Sequence, residues 1–413
     1  PSPPRPRGMK PGVRSPGETS DKQAAQNLIT ESQQLWDAGK HKEAAEKALE
    51  GLGIAREIAR IDPSYRRQLA EWLAYPSSNF LASAGRFEEA IRVGDESIAL
   101  YKQLSAENPG DDELVRRMAG AAMNLAQSLG ISREMMPSAA DYAMKGLDIL
   151  RPLAARNPAY RRQLADWALW PTPNFLASAG RFDDAIKIGD EAIRLSAQLS
   201  AENPNDDELR YQSARANLNT GVAIGLKQEM MPRAAEYAVK GLDILRPLAA
   251  RNPAYRRQLA DWALWPTPNF LASAGRFDEA IKVGDEAIGL SAQLSAENPN
   301  DDELRYQSAR ANLNTGVAIG LKQEMMPKAA EYAVKGLDIL RPLAARNPAY
   351  RPQLGEWIMY PAIDFQLSVG RKPEAVHLAQ EAVNIFTVLN QTDPATYGPK
   401  LAAAKKRLDE LQH

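Results

Sequence analysis

The sequence returns to itself every 95 residues. Tyr65-Arg66-Arg67-Gln68-Leu69 comes back as Tyr160-Arg161-Arg162-Gln163-Leu164, as Tyr255-Arg256-Arg257-Gln258-Leu259 and, with one change, as Tyr350-Arg351-Pro352-Gln353-Leu354. A chain with this symmetry folds as an array in which each copy covers its apolar face with the next copy. Residues 160–254 and 255–349 differ at four positions only: Asp184/Glu279, Ile188/Val283, Arg194/Gly289 and Arg233/Lys328. All four changes are mild in size or expected at the surface. Such near-identity points to recent duplication, gene conversion or engineering, and makes copy number an adjustable quantity.

Each unit contains two related halves. The first runs from Tyr160 through "GRFDDAIKIGDEAIRLSAQLSAENP", the second from "RYQSARANLNTGVAIG" through "RAAEYAVKGLDILRPLAARNP". Both read as a helix, a turn and a longer helix ending at Asn-Pro. Ala185, Ile188, Ala192 and Leu195 recur at helical spacing, and the two alanines let a neighbouring helix come close. Gly180 is placed to end the preceding helix. Asn203-Pro204 ends the next one, and Asp206-Asp207-Glu208 sets negative charge in the first turn that follows, where the helix dipole favours it.

These halves resemble the tetratricopeptide repeat (TPR) family, in its longer, kinesin-light-chain-like variant with an extended second helix. Asn219-Thr220-Gly221 looks like the Asn-Leu-Gly of the family's first helix, Ala234 and Gly241 like the small positions of the second, and Asn252-Pro253 like the closing proline. Gly180, Ala185 and Ala192 match in the other half, and Gly39, Ala44 and Gly51 in the first hairpin. The resemblance covers residues 21–394 as eight hairpins, with 395–413 as a C-terminal capping helix. It implies an all-α, right-handed α-solenoid in four 95-residue-phased units that binds a protein or extended peptide in its concave groove. Residues 1–20, proline-rich and basic, read as a disordered tether.

One stretch resists a simple helix: "LADWALWPTPNFLASAGRF", residues 164–182, carries Pro171 and Pro173 in its interior. An interior proline loses a hydrogen bond and collides with the preceding turn, at about 3 kcal/mol. Tyr160 and Gly180 are 20 residues apart, one more than the resemblance implies. The first helix is therefore expected to break near Trp170, with Pro171 opening a short second segment. Pro76, Pro171, Pro266 and Pro361 share this phase, so the break belongs to every unit.

Several residues are candidates for a partner-binding surface, and each has a packing alternative. Trp72, Trp167, Trp262 and Trp357 form a ladder, joined three residues later by Tyr75, Trp170, Trp265 and Tyr360; aromatics three apart share a helix face. They either fill the space opened by the break or, at Trp167, Trp170, Trp262 and Trp265, stack on a ligand. Gln212, Arg215 and Asn219, with Gln307, Arg310 and Asn314, make a polar stripe on the other type of first helix. The resemblance implies that Asn124, Asn219 and Asn314 hold a ligand's backbone, and an amide both donates and accepts; hydrogen bonding between hairpins is the alternative. Asn79, Asn174, Asn269 and Asp364 form a second, displaced series. The arginines after each leading tyrosine either grip anions or balance acidic turns such as Asp206-Asp207-Glu208. Met135-Met136, Met230-Met231 and Met325-Met326 either contact a partner or pack beneath their loop.

Composition trims the alternatives. Fifty-one Lys plus Arg against 52 Asp plus Glu give a net charge of -1, so no overall field draws the chain to nucleic acid or anionic lipid. There is no cysteine, hence no disulfide, thiolate site or cysteine nucleophile. His41, His377 and His413 do not recur with the unit, and no phosphate loop or metal-ligand set accompanies them, so neither an enzyme nor a cofactor or metal is expected. No apolar run approaches the roughly 18 residues of a membrane span, and a cytoplasmic setting is expected, an already removed leader aside. The reading is a non-catalytic interaction scaffold or sensor. Its rivals are a self-associating structural array, a single-stranded nucleic-acid binder and a fragment of a larger signalling protein.

Overall fold

The computed structural model describes residues 16–413, all of whose regular structure is helical. Helix α1 begins at Pro16, inside the segment expected to be a tether; residues 1–15 of that segment lie outside the described residues. The chain divides into two compact units, one ending at Leu195 and the other beginning at Ser196, within a single long helix.

In the first unit, α1 (Pro16–Asp37) pairs with α2 (His41–Ile61). Next, α3 (Arg66–Trp72) and α4 (Ser78–Ser83) together face α5 (Phe87–Glu107), and α6 (Asp112–Leu129) pairs with α7 (Met136–Arg156). The unit continues through α8 (Arg161–Leu169) and α9 (Thr172–Ser178) into α10 (Phe182–Glu202). Leu52, Leu73, Leu81, Leu125 and Leu129 are fully buried in one cluster that runs through successive hairpins. Each such leucine contributes about 1.5–3 kcal/mol over an exposed one.

The second unit repeats the scheme. The α11/α12 pair (Asp207–Ile224, Met231–Arg251) leads to α13 (Arg256–Leu264) and α14 (Thr267–Ser273) on α15 (Phe277–Glu297). The α16/α17 pair (Asp302–Ile319, Met326–Arg346) leads to α18 (Arg351–Trp357) and α19 (Ile363–Ser368) on α20 (Lys372–Thr392), and α21 (Pro394–Gln412) packs against α20. Small residues set the spacing within the pairs. A Cβ on Gly241 would lie 3.0 Å from the Ala214 carbonyl, and one on Gly221 2.8 Å from that of Ala234, so α11 and α12 meet backbone to backbone.

The turn inside each kinked hairpin needs a left-handed residue. Gly85, Gly180, Gly275 and Gly370 have φ of 76–77°. At Gly180 the flanking bonds, Arg181 N–H to Leu176 O (2.8 Å) and Gly180 N–H to Ala177 O (2.9 Å), form the Schellman closure that a glycine permits. Ala185, Ile188, Ala192 and Leu195 are all buried, as their spacing requires.

The expected break is present. Helix α8 stops at Leu169, Trp170 is extended (φ -159°, ψ 135°), the Trp170–Pro171 peptide is cis, and α9 starts at Thr172. The Pro171 carbonyl then accepts from the N–H groups of Asn174 (3.1 Å) and Phe175 (3.2 Å), so this proline does open the second segment. Its missing N–H leaves the Trp167 carbonyl without a helical donor, and the buried hydroxyl of Thr172 supplies one at 2.8 Å; Thr267 does the same for Trp262. In the first and last copies the break is a widened turn over Leu73–Ser77 and Ile358–Ala362, with Tyr75 and Tyr360 extended and again preceding a cis proline.

Candidate functional site

The break decides which aromatics are available. Because Trp170 itself leaves the helix, it does not share a face with Trp167 as a three-residue spacing implies. Trp167 is half-buried, whereas Tyr75, Trp170, Trp265 and Tyr360 are 54%, 53%, 52% and 64% exposed. The extended residue turns one large ring outward in every copy, so these four do not fill the space at the kink. Their partners do pack: Trp72 is buried, Trp262 stacks on Tyr211 (centroids 5.7 Å, 21°), and Trp357 stacks on Tyr306 (5.4 Å, 17°).

In the first unit, α3, α5 and α6 enclose a cavity of about 220 Å³ lined by Glu71, Tyr75, Tyr101, Arg117, Gly120 and Asn124. It brings the exposed ring of Tyr75 and the amide of Asn124 to one site. Arg117 is fixed there by Glu71 (2.6 Å) and Glu113 (2.9 Å). Glu113 also takes two hydrogen bonds from Arg116, chiefly responsible for holding its carboxyl down at about 2.

In the second unit the polar stripe resolves into two parts. Gln212 donates to Glu208 (2.6 Å) and accepts from Arg215 (3.2 Å), whose guanidinium lies over Tyr211 at 5.8 Å. Gln307, Glu303, Arg310 and Tyr306 repeat this arrangement at 2.7, 3.1 and 5.9 Å. Glutamine and arginine are thus held along their own helices. Asn219 and Asn314, like Asn124, are half-buried, and their amides have no hydrogen-bond partner among the described residues. The fully buried Asn217 and Asn312 carry the structural amide role instead, donating to the Ser213 and Ser308 carbonyls at 3.1 Å. On α13, desolvation raises the Asp261 carboxyl above the ordinary range, against the pull of Arg257 and Arg310.

Asn174 and Asn269 are half-buried at the start of α9 and α14, while Asp364 in the same phase is held by Arg407 of α21 at 2.5 Å. The leading arginines pair chiefly with glutamates at the end of the following long helix: Arg66 with Glu107 (2.8 Å) and Arg256 with Glu297 (2.9 Å). In the first copy Arg67 does reach the acidic turn, at Asp111 (4.0 Å), and Asp207 in the second unit is served by Arg251 and the Asn252 amide. Met135 packs against the core beneath its loop. Among the described residues no group of three or more His, Asp or Glu side chains is arranged to hold a metal, and no helix is long and apolar enough to cross a membrane.

The geometry defines the class: an all-α array of tetratricopeptide-like helical hairpins. No family model and no curated protein matches the chain. Among solved structures it is similar to the nuclear import adaptor Nro1 of S. pombe (15% identity, 66% of this chain and 94% of that one, TM-score 0.37). It is similar also to a tetratricopeptide repeat protein from Parabacteroides merdae (13%, 81% and 99%, 0.35). A third is a Rap protein complexed with Competence and Sporulation Factor (15%, 94% and 99%, 0.35). With likeness of this degree, the class rests on the chain's own repeat geometry.

Proposed function

We propose that the chain is a non-catalytic interaction scaffold that binds an extended peptide segment on the first-helix face of each unit. Asn124 in one unit, and Asn219 and Asn314 in the other, take the peptide backbone, while Tyr75, Trp170, Trp265 and Tyr360 offer rings to its side chains. The observation carrying this reading is the set of half-buried amides with no partner among the described residues, at the position where the family resemblance puts backbone recognition. A side chain that stitched hairpins together would have its hydrogen bonds made already; these three do not.

The test begins with selection of peptides from a displayed random library on the full chain. A selected peptide is then measured against the triple variant Asn124→Ala, Asn219→Ala, Asn314→Ala. Each lost hydrogen bond contributes about 0.5–1.5 kcal/mol and neighbouring losses add incompletely, so affinity is expected to fall about tenfold to a few hundredfold. The melting temperature stays level, because no intramolecular bond is removed and alanine favours helix. Unchanged affinity removes the amides from the site, and a fall in melting temperature with affinity kept assigns them to the fold.

A further inference from the structure

A second cavity lies between α17, α18 and α20, with a volume of about 430 Å³. Its floor is aliphatic: Ala344, Leu354, Ile385 and Val388, the last 46% exposed. Two of its polar side chains satisfy one another, Arg341 gripping Glu381 through two hydrogen bonds of 2.9 and 2.8 Å. Arg351 also lines it, and has no ion-pair or hydrogen-bond partner among the described residues.

The earlier copies show what this arginine is built to hold. One repeat before, Arg256 pairs with Glu297 at 2.9 Å, and Gln293 donates to the same carboxylate at 2.9 Å. In the first unit Arg66, Glu107 and Gln103 make the same trio at 2.8 and 3.1 Å. In the last copy the arginine is kept, but Val388 stands for the glutamine and Thr392 for the glutamate. Thr392 turns its hydroxyl onto the Leu389 carbonyl (2.9 Å), so it offers Arg351 nothing. The cation remains, its carboxylate is gone, and an apolar valine lines the cavity where the glutamine stood.

We propose that this cavity binds an aliphatic monocarboxylate, whose carboxylate takes on Arg351 the place that Glu297 takes on Arg256 and whose hydrocarbon chain lies on Leu354, Ile385 and Val388. An acyl chain suits the lining better than a peptide does. Asn384 accepts from Gln380 at 3.1 Å, which engages one of its two carbonyl lone pairs. The other walls are hydrocarbon or mutually paired, so successive peptide groups would be desolvated there without partners.

Calorimetric titration of the full chain with octanoate tests this. One equivalent is expected to bind saturably, with octanol, which lacks the charge, at least about tenfold weaker. Arg351→Gln should weaken octanoate by about tenfold to a hundredfold. Thr392→Glu is the sharper variant, because it rebuilds the clamp of the earlier copies: it should weaken octanoate to the same degree while the melting temperature holds or rises. Absence of octanoate binding, equal binding to Thr392→Glu, or binding confined to peptides with a free aliphatic C-terminal residue would each overturn the proposal.

Discussion

Gly225 at the end of α11 carries the ring of Phe270 from α14. A Cβ placed on it would lie 2.6 and 2.7 Å from two ring carbons and 3.0 Å from the Gly221 carbonyl, well inside normal contact. Gly130 with Phe175 and Gly320 with Phe365 repeat the contact, so this pair seats the short segment that follows the break in three of the four copies, while Phe80 of the first packs with Leu35 and Trp36. In Gly225→Ala the ring, 7% exposed, must shift by the better part of an ångström. Overpacking of this kind costs about 1–3 kcal/mol, and the stiffer unfolded chain returns about 0.4–1. The net loss of up to about 2.6 kcal/mol lowers the unfolding midpoint of a unit of this size by up to roughly 10 °C. Thermal and urea melts of Gly225→Ala, Phe270→Leu and the double variant measure the coupling, which should be at least about 0.5 kcal/mol less destabilising than the sum. Gly289→Ala is the internal control: nothing lies within 4 Å of its Cβ, the sister copy carries Arg194 there, and it should gain about 0.5–1 kcal/mol. Strict additivity of the two substitutions would refute the seating argument.

Two further outcomes follow from single contacts. Thr267→Val keeps the shape of a buried side chain but leaves the Trp262 carbonyl without its donor, so the second unit should lose about 1–3 kcal/mol in urea melts, whereas a surface change such as Gln293→Ala should stay within about 0.5 kcal/mol. Glu113 is held at about 2 against an ordinary 4.5, chiefly by its hydrogen bond to Arg116, so its stabilisation is complete above pH of about 4.5 and is lost as pH falls toward 2. The melting-temperature gap between the native chain and Glu113→Gln should therefore close on acidification across that window, and a gap that is constant with pH would count against the pair.

The hairpins were legible because their signals are local and repeated. Small residues at Ala185, Ala192 and Gly241, a glycine at 180 and acidic caps at Asp206 act within a turn or two of helix, and the 95-residue period reinforces each of them. The break at Trp170 was legible from Pro171 and one surplus residue. Its consequence was not, since a spacing of three implies a shared face only while both residues are helical, and Trp170 is extended. Thr172 carries no signal in the sequence, because its role depends on which carbonyl the proline orphans. The pairs Arg256–Glu297 and Arg246–Glu286 join residues about 40 apart, a separation that composition and helical periodicity do not register. For the candidate site, sequence supplied the residues while the structure sorted them: Gln212 and Arg215 are tied along their helix, Asn219 is not.

The four copies are themselves a comparison of what the scaffold needs with what is free to change. The break, the outward ring and the clamp from the second helix to the next are kept throughout, the clamp as Arg56–Glu96, Arg151–Glu191, Arg246–Glu286 and Arg341–Glu381. The face beside the unpartnered amide is not kept. Arg116, Arg117 and Gly120 accompany Asn124, whereas Tyr306, Gln307 and Arg310 accompany Asn314, with Tyr211, Gln212 and Arg215 likewise before Asn219. The small glycine leaves the cavity beside Tyr75 open, its rim lined by arginines paired with Glu71 and Glu113; the arginine that replaces it lies instead over a tyrosine, giving a flatter, aromatic surface. On the proposed reading the amide addresses what every peptide shares, its backbone, and these neighbours address what differs, its side chains. Residues that fit a small cavity walled by paired charges then favour the first unit, and residues that stack on tyrosine and tryptophan favour the second.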